Sequence, residues 1–329
     1  MENAAESKAF VSQPAPTIQT VRELHEEHLI RHGAIHDSMR ERELAGERKE
    51  IREYAGRAVY ELLHNALDRA MDRIIIRSVD RKPGAGNSML LVGNDGNPVT
   101  AYPMIEKPRR PEGWRRSDFH ALLSLNTSNK SAQVHVGNKG IGFRSVFATS
   151  AEVHVWSLAS CGRWWGLKLR HPALWPGKKD WYPPEAPSFY CPELDCTSFT
   201  LERILSSYEG APFLPEDLQG LKTLVILPSI PTEENGKSQA VVESIRKLSR
   251  LPLAFLSHRV ARPADLSLHI RINDFAPERK TLKVLAGWQE AVDSKAVEFD
   301  DQLRDLTGLD LEKYGEVRVL LPAEGCDEL

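Results

Sequence analysis

Three short segments carry residue types and spacings that can do chemistry. The first is Glu61-Leu-Leu-His-Asn65-Ala-Leu-Asp68. On a helix, Glu61 and Asn65 project from one face a turn apart. An amide oxygen there can fill one corner of a magnesium shell, and the carboxylate can take a proton from attacking water. Asp68 and Asp72 continue the polar edge, while Leu63, Leu67 and Ala70 turn to a core. A plain surface helix can carry the same pair. The second segment is Leu91-Val-Gly-Asn94-Asp95-Gly96, an apolar strand ending in a polar turn. A short side-chain acceptor at the mouth of a sheet can receive the exocyclic amine of an adenine, although an ordinary β-turn reads the same way. The third is Gly137-Asn138-Lys139-Gly140-Ile141-Gly142-Phe143. Glycines at this spacing let backbone N–H groups approach phosphate oxygens, and a helix starting at Gly142 or Phe143 adds its dipole. The loop is not a dinucleotide fingerprint, because no clear strand of a βαβ unit precedes it, and no Gly-Lys-Ser/Thr makes it a P-loop.

Elements must hold these segments. Residues 1–16 are Ala/Ser/Pro-rich and read as a frayed end, and 17–50 read as one or two charged surface helices. The strongest helical pattern runs from about Ile51 to Ile76, with Val59, Leu62, Leu63, Ala66, Leu67, Ala70 and Ile74 at helical spacing. Residues 80–87 form a turn, Met89 to Val92 a short buried strand, and 93–98 a second turn. A Pro- and Arg-rich loop at 103–116 precedes a helix from Phe119 to Leu125, and Phe143 to Ala148 is apolar. Strands are expected at 152–158, 163–170, 197–203 and 221–227, with a six-proline, Trp-bearing loop at 171–195. A helix at 239–257 and strands at 266–273 and 281–286 follow, with a last strand-like run from Val317 to Leu321. Helices first and then mostly strands argue for a two-layer α/β sandwich over the first ~230 residues.

Composition narrows the classes. The chain has 329 residues with 43 Lys and Arg against 46 Asp and Glu, a net charge of −3, which excludes a wholesale basic nucleic-acid binder. Hydrophobic residues at 41% and charged residues at 27% suit a globular chain with a real core. At about 150 residues per domain, the length suggests two domains. The four cysteines form no Cys-x-x-Cys pair, so neither a zinc ribbon nor a disulfide scaffold is indicated, and a reducing cytoplasm is the expected compartment. Apolar runs of only a few residues, such as Ile74-Ile75-Ile76, fall far short of the ~20 residues of a membrane span, and the N-terminus lacks the features of a secretory signal.

In this order and spacing, the three segments resemble the GHKL superfamily of ATP-binding domains, which includes gyrase, the ninety-kilodalton heat-shock chaperones, histidine kinases and MutL. The stretch from Asn138 to Phe147 is most similar to the branch containing sacsin and the plant protein NO VEIN. Asn126-Thr-Ser-Asn-Lys130 resembles that branch's Ser-rich lid segment, and Lys222-Thr223-Leu-Val-Ile-Leu-Pro228 its Thr-bearing strand. The likeness covers roughly residues 50–260. It implies a Bergerat fold, a mixed sheet backed by helices, with a GHKL-type domain at 51–235. A helical extension at 1–50 would precede it, and a smaller α/β, transducer-like region at 236–329 would follow, cut short at its end.

The resemblance also assigns roles. Glu61 would be the general base and Asn65 the magnesium ligand, with Asp68 beside them. Asn94 stands where most of the superfamily has its adenine-reading Asp, and Asp95 is one position later, so either could meet the base ahead of Gly96. Gly137, Lys139, Gly140, Ile141, Gly142 and Phe143 would wrap the phosphates, Lys130 and Asn138 would also bind the nucleotide, and Thr223 would lie near the adenine, with Thr200 as runner-up. The lid would span about 97–136. Arg246, Lys247 and Arg250 are candidates for a cation reaching the γ-phosphate. The implied ligands are ATP or ADP and Mg2+, the implied work a conformational change that remodels a protein client or serves nucleic-acid-linked defence or repair, and the implied assembly an ATP-dependent homodimer off the membrane. Alternatives are a nucleotide-gated module with little turnover and a MORC- or MutL-like DNA clamp, for which the basic loop from Lys107 to Arg116 offers phosphate contacts. A sensor kinase using His36 is a more distant rival. Trp164, Trp165, Trp175 and Trp181 form either a docking surface or a satellite core.

Overall fold

Ile74, Ile75 and Ile76 are β-branched, stiff at χ1 and suited to a pleated surface. In the computed structural model they lie in strand β1 (Arg73–Val79), not in a helix. The structure describes residues 15–33, 35–53, 56–79, 81, 86–102, 117–124, 142–170, 187–190, 192–197, 200–208, 218–232, 237–248, 266–272 and 278–282. The helix expected from 51 to 76 is therefore corrected. Helix α2 (Asp37–Glu53) ends its first part, and α3 spans only Ala58–Leu67. Gly56, at φ 81°, precedes α3 in the left-handed region that glycine adopts without a Cβ clash. Arg57, at the N-cap of α3, makes no side-chain capping bond. The helix is held by packing instead: Val59, Leu62, Leu63 and Leu67 are all buried, worth about 6 kcal/mol together at the low end for such side chains.

β1 pairs antiparallel with β2 (Ser88–Asn94), and this hairpin lies inside an eight-stranded mixed sheet. The other strands are β3 (Glu152–Leu158), β4 (Trp164–Arg170), β5 (Glu193–Asp195), β6 (Thr223–Ile230), β7 (Leu266–Ile272) and β8 (Glu278–Leu282). The order is β5-β4-β3-β6-β2-β1-β7-β8, and only β1 and β7 run parallel. The boundary expected at 235 falls after β6, and β7 and β8 extend the same sheet. The strand expected at 197–203 is also corrected. Leu201–Ser206 is a short helix, named α5 below, capped by the Thr200 hydroxyl accepting from Arg203 N, because a threonine before helix-forming residues satisfies a free N–H.

Strand alternation splits the core into two faces. Ile74, Ile76, Leu90, Val92, Val153, Val155, Trp165 and Leu167 meet a helical layer. That layer comprises α1 (Ile18–Gly33), α3, α4 (Asp118–Leu122), the 3-10 helix Gly142–Ala148 and α6 (Lys237–Leu248). Ile75, Leu91, Trp156, Trp164, Leu224 and Ile226 face the other way, against α5 and Leu218. The architecture is thus α/β, a mixed sheet backed by helices. Trp164 and Trp165 are core residues of opposite faces, while Trp175 and Trp181 lie outside the described residues.

The N-terminal helices clasp Ser188, Phe189, Tyr190 and Pro192. His25 Nε2 lies 2.7 Å from the Pro192 carbonyl and His28 Nε2 2.7 Å from that of Phe189. Ser188 donates its N–H and its hydroxyl to Glu47, and the Tyr190 hydroxyl donates to Glu43. Burial pushes His28 down to about 3, helped by the facing His32, and burial beside Arg31 pushes His32 down to about 4. Because both values fall below the ordinary 6.5, the clasp is fully stable above that pH and weakens as pH falls from 6.5 toward 4. At pH 5 the His28 contribution alone has fallen by about 2 kcal/mol. Limited proteolysis is expected to cut the N-terminal helices faster at pH 5 than at pH 7, and the paired change H28Q/H32Q to flatten that difference. An unchanged pH dependence in the double variant would contradict the clasp.

Candidate functional site

The turn after β2 is built against the end of α3. A Cβ on Gly96 would stand 1.5 Å from the Arg69 carbonyl oxygen, so only glycine permits this approach. Asn97 N donates to the same oxygen at 3.2 Å, and Asp95 N to Arg73 O at 3.3 Å. The Asp95 carboxylate turns back to accept from Met71 N at 3.0 Å and Asp72 N at 3.2 Å. Asn94 is buried, and its Oδ1 accepts from Gly96 N at 3.2 Å.

Register carries Asn94 into a polar row. Cross-strand pairing aligns Ile74, Asn94, Thr223, Ser157 and Trp165 on five neighbouring strands, on the face covered by the helical layer. Three adjacent polar side chains interrupt an otherwise apolar face. Ser157 Oγ is occupied, accepting from Val99 N at 2.9 Å. The Thr223 hydroxyl is buried and has no hydrogen-bond partner among the described residues. Leaving such a group unpaired costs about 1–3 kcal/mol, so it marks a place where another polar atom belongs. The resemblance pointed to Asn94 and Thr223 but not to Ser157. The alternation Val153, Val155, Ser157, with a serine where an apolar residue is due, was the available signal.

Glu61 lies in the first turns of α3, its side chain 14% exposed, with Oε1 3.8 Å from Arg57 Nη2 on the same helix. Asn65 is half-buried one turn on, and Asp68 is buried at the C-cap. The polar edge stops there: Asp72 is exposed and no longer helical. α3 packs against the 3-10 helix Gly142–Ala148, so Gly142 and Phe143 lie on the element beside Glu61 and Asn65. Lys130, Gly137, Asn138, Lys139, Gly140 and Ile141 lie outside the described residues. Arg144, the basic residue of that motif, serves the core. It is buried, donates to Leu122 O at 2.6 Å and Ser124 O at 3.3 Å, and covers the Phe189 ring at 4.7 Å.

The lid expected over 97–136 is narrowed at both its described parts. Val99, Ala101, Phe119 and Leu123 are buried. Thr100 donates through its N–H and hydroxyl to Asp118 Oδ2 at 2.9 Å, and accepts from Asp118 N at 2.9 Å. Arg69, just past α3, pairs with the same carboxylate. Residues 97–102 and 117–124 are thus tied to the core by a buried network. Thr200 is the α5 cap, and not beside Asn94 in the sheet row. Arg246 and Lys247 belong to α6, which packs on α3; their side chains, Arg250 and the basic loop 107–116 lie outside the described residues.

Among the described residues no group of three or more His, Cys, Asp or Glu side chains gathers to hold a metal. A magnesium ion carried by a phosphate needs less, since one or two protein oxygens complete a shell otherwise filled by phosphate and water. The Asn65 amide, with Glu61 one turn away, fits that demand.

No family model matches the chain, and no curated protein matches it. Among solved structures it is similar to the ATPase region of Saccharomyces cerevisiae topoisomerase II bound to ICRF-187 (dexrazoxane), at 15% identity and a TM-score of 0.36, covering 70% of this chain and 49% of that one. A second structure of the same ATPase region matches at 16% identity, a TM-score of 0.36 and the same coverage, 70% and 49%. The chain spans about half the length of those chains.

Proposed function

We propose that this chain is a GHKL-type nucleotide-binding ATPase module, holding a nucleoside triphosphate as its magnesium complex between α3 and the sheet. ATP is the nucleotide that the sequence resemblance implies. The observation that carries the reading is the Thr223 hydroxyl, buried beside Asn94 on the face covered by the helical layer and without a hydrogen-bond partner among the described residues. Asn65 would hold the magnesium, which supplies charge neutralisation at the phosphates. Glu61 would orient water and take its proton, with Asp68 on the same polar edge, and the loop from Gly137 to Phe143, with Lys130, would surround the phosphates. Such chemistry is positioning plus electrostatics, and the fold supplies rigid placement of α3 against the sheet. Coupling of the cycle to a conformational change, to a protein client or to an ATP-dependent homodimer belongs to the same reading. Among the described residues, no helix is long and apolar enough to cross a membrane.

Thermal unfolding with and without nucleotide tests this directly. At a ligand concentration of 100 times Kd, binding adds about 2.7 kcal/mol to stability. The melting temperature is expected to rise by several degrees with a non-hydrolysable triphosphate and Mg2+, and less with either alone. No rise with any nucleoside triphosphate would overturn the proposal.

A further inference from the structure

We infer that the base-reading position of this site donates hydrogen bonds where an aspartate would accept them, so that a 6-oxopurine triphosphate binds at least as tightly as ATP. The inference rests on the nucleotide-binding reading above and names the base that it takes. Gly96 N–H can only donate, so the atom of Asn94 facing it at 3.2 Å must be the amide oxygen. The opposite side of that amide is therefore NH2, which carries two donors and no acceptor. Asn94 is buried, and its side chain makes no other hydrogen bond among the described residues. The one carboxylate of the turn, Asp95, is occupied by Met71 N and Asp72 N, and it cannot turn to supply the missing acceptor without abandoning this link between α3 and β1. Next to Asn94 in the row is the Thr223 hydroxyl, which can donate or accept and has no partner among the described residues.

A purine edge that meets this pair must bring an acceptor to Asn94. The O6 of a 6-oxopurine is an acceptor, and its N1–H can donate to Thr223 Oγ1, so both contacts are made in one register. The 6-amino group of adenine placed at Asn94 would set donor against donor, or would force the amide to turn over and release Gly96 N–H. Adenine is left with the alternative of offering N1 to Asn94. An aspartate here would enforce the amino group; this asparagine does not.

The test compares ATP with inosine triphosphate, which differs from it only at the 6-position and the N1 proton. Binding of each to the full chain is measured with Mg2+ by calorimetry or thermal shift, for wild type and for Asn94→Asp. The expected result is a wild-type affinity for inosine triphosphate equal to or above that for ATP. Asn94→Asp should shift the ratio toward ATP by about tenfold or more, the scale of one mispaired buried hydrogen bond. Tighter binding of ATP by the wild type overturns the inference and needs no variant. A ratio unmoved in a folded Asn94→Asp protein overturns it too, because the base is then read elsewhere. Absence of binding by every triphosphate sinks the proposed function itself, whereas binding of ATP with exclusion of inosine triphosphate sinks only the base assignment.

Discussion

Alanine at Gly96 destabilises the protein by about 3 kcal/mol or more. Extra atoms in a packed interior typically cost 1–3 kcal/mol when side chains can move aside. Here the added Cβ meets backbone: 1.5 Å to the Arg69 oxygen, 2.4 Å to its carbonyl carbon and 2.8 Å to Ala70 Cα. Relief requires lifting the 94–97 turn off the end of α3. That movement breaks the bond from Asn97 N to Arg69 O, and it withdraws the Asp95 carboxylate from Met71 and Asp72. Gly93 is an internal control, since its added Cβ meets side chains and no backbone: Leu224 Cδ2 at 2.8 Å, Leu221 Cδ1 at 3.1 Å and Ile75 Cγ1 at 3.2 Å. Urea unfolding should therefore rank Gly96→Ala well below Gly93→Ala, and nucleotide-induced stabilisation should vanish in the Gly96 variant. A loss under about 1 kcal/mol at Gly96 would mean that the turn does not dock on α3 in this way.

The second large effect is on turnover. Glu61→Ala is expected to reduce phosphate release by about 10²- to 10⁴-fold, the usual share of a positioned general base, while leaving the nucleotide-induced rise in melting temperature in place. Glu61 is mostly buried, but the apolar packing of α3 comes from Val59, Leu62, Leu63 and Leu67, which a substitution at Glu61 leaves in place. The variant should accordingly fold, and Glu61→Gln, which keeps shape without basicity, should behave like it. Full phosphate release by both variants would remove Glu61 from the chemistry. Wild-type protein that binds nucleotide yet releases no phosphate above background would leave a nucleotide-gated module in place of an ATPase.

Much of the fold was legible because it is written in local patterns. The charged N-terminal helices, the buried strand before Asn94, and strands β3, β4 and β6 follow from periodicities of 3.6 and 2 that a short window contains. The failures share one cause. The apolar spacing through Leu67, Ala70 and Ile74 satisfies a helix, yet Ile74–Ile76 are flanked by β2 and β7, partners from distant sequence that reward a strand. The stretch 197–203 looks β-like until Thr200 caps a turn of helix. The bonds between Thr100 and Asp118 join segments separated by the basic loop, so no short window of sequence contains them.

By itself, the sequence determined the α/β class and the order of the three chemical segments, whereas the register that sets Asn94 beside Thr223 came from the sheet. The class and the order depend on residue type and spacing within a few turns or strands. Only the tertiary structure decided that Asp95 is spent on Met71 and Asp72 between α3 and β1, that Asn94 lies beside a threonine hydroxyl with no partner among the described residues, and that His28 is buried against Phe189. Each of these is a contact between groups far apart in the chain or a choice between neighbouring side chains. A hydrogen-bonding group acquires its direction and its vacancy only when the backbone around it has been placed.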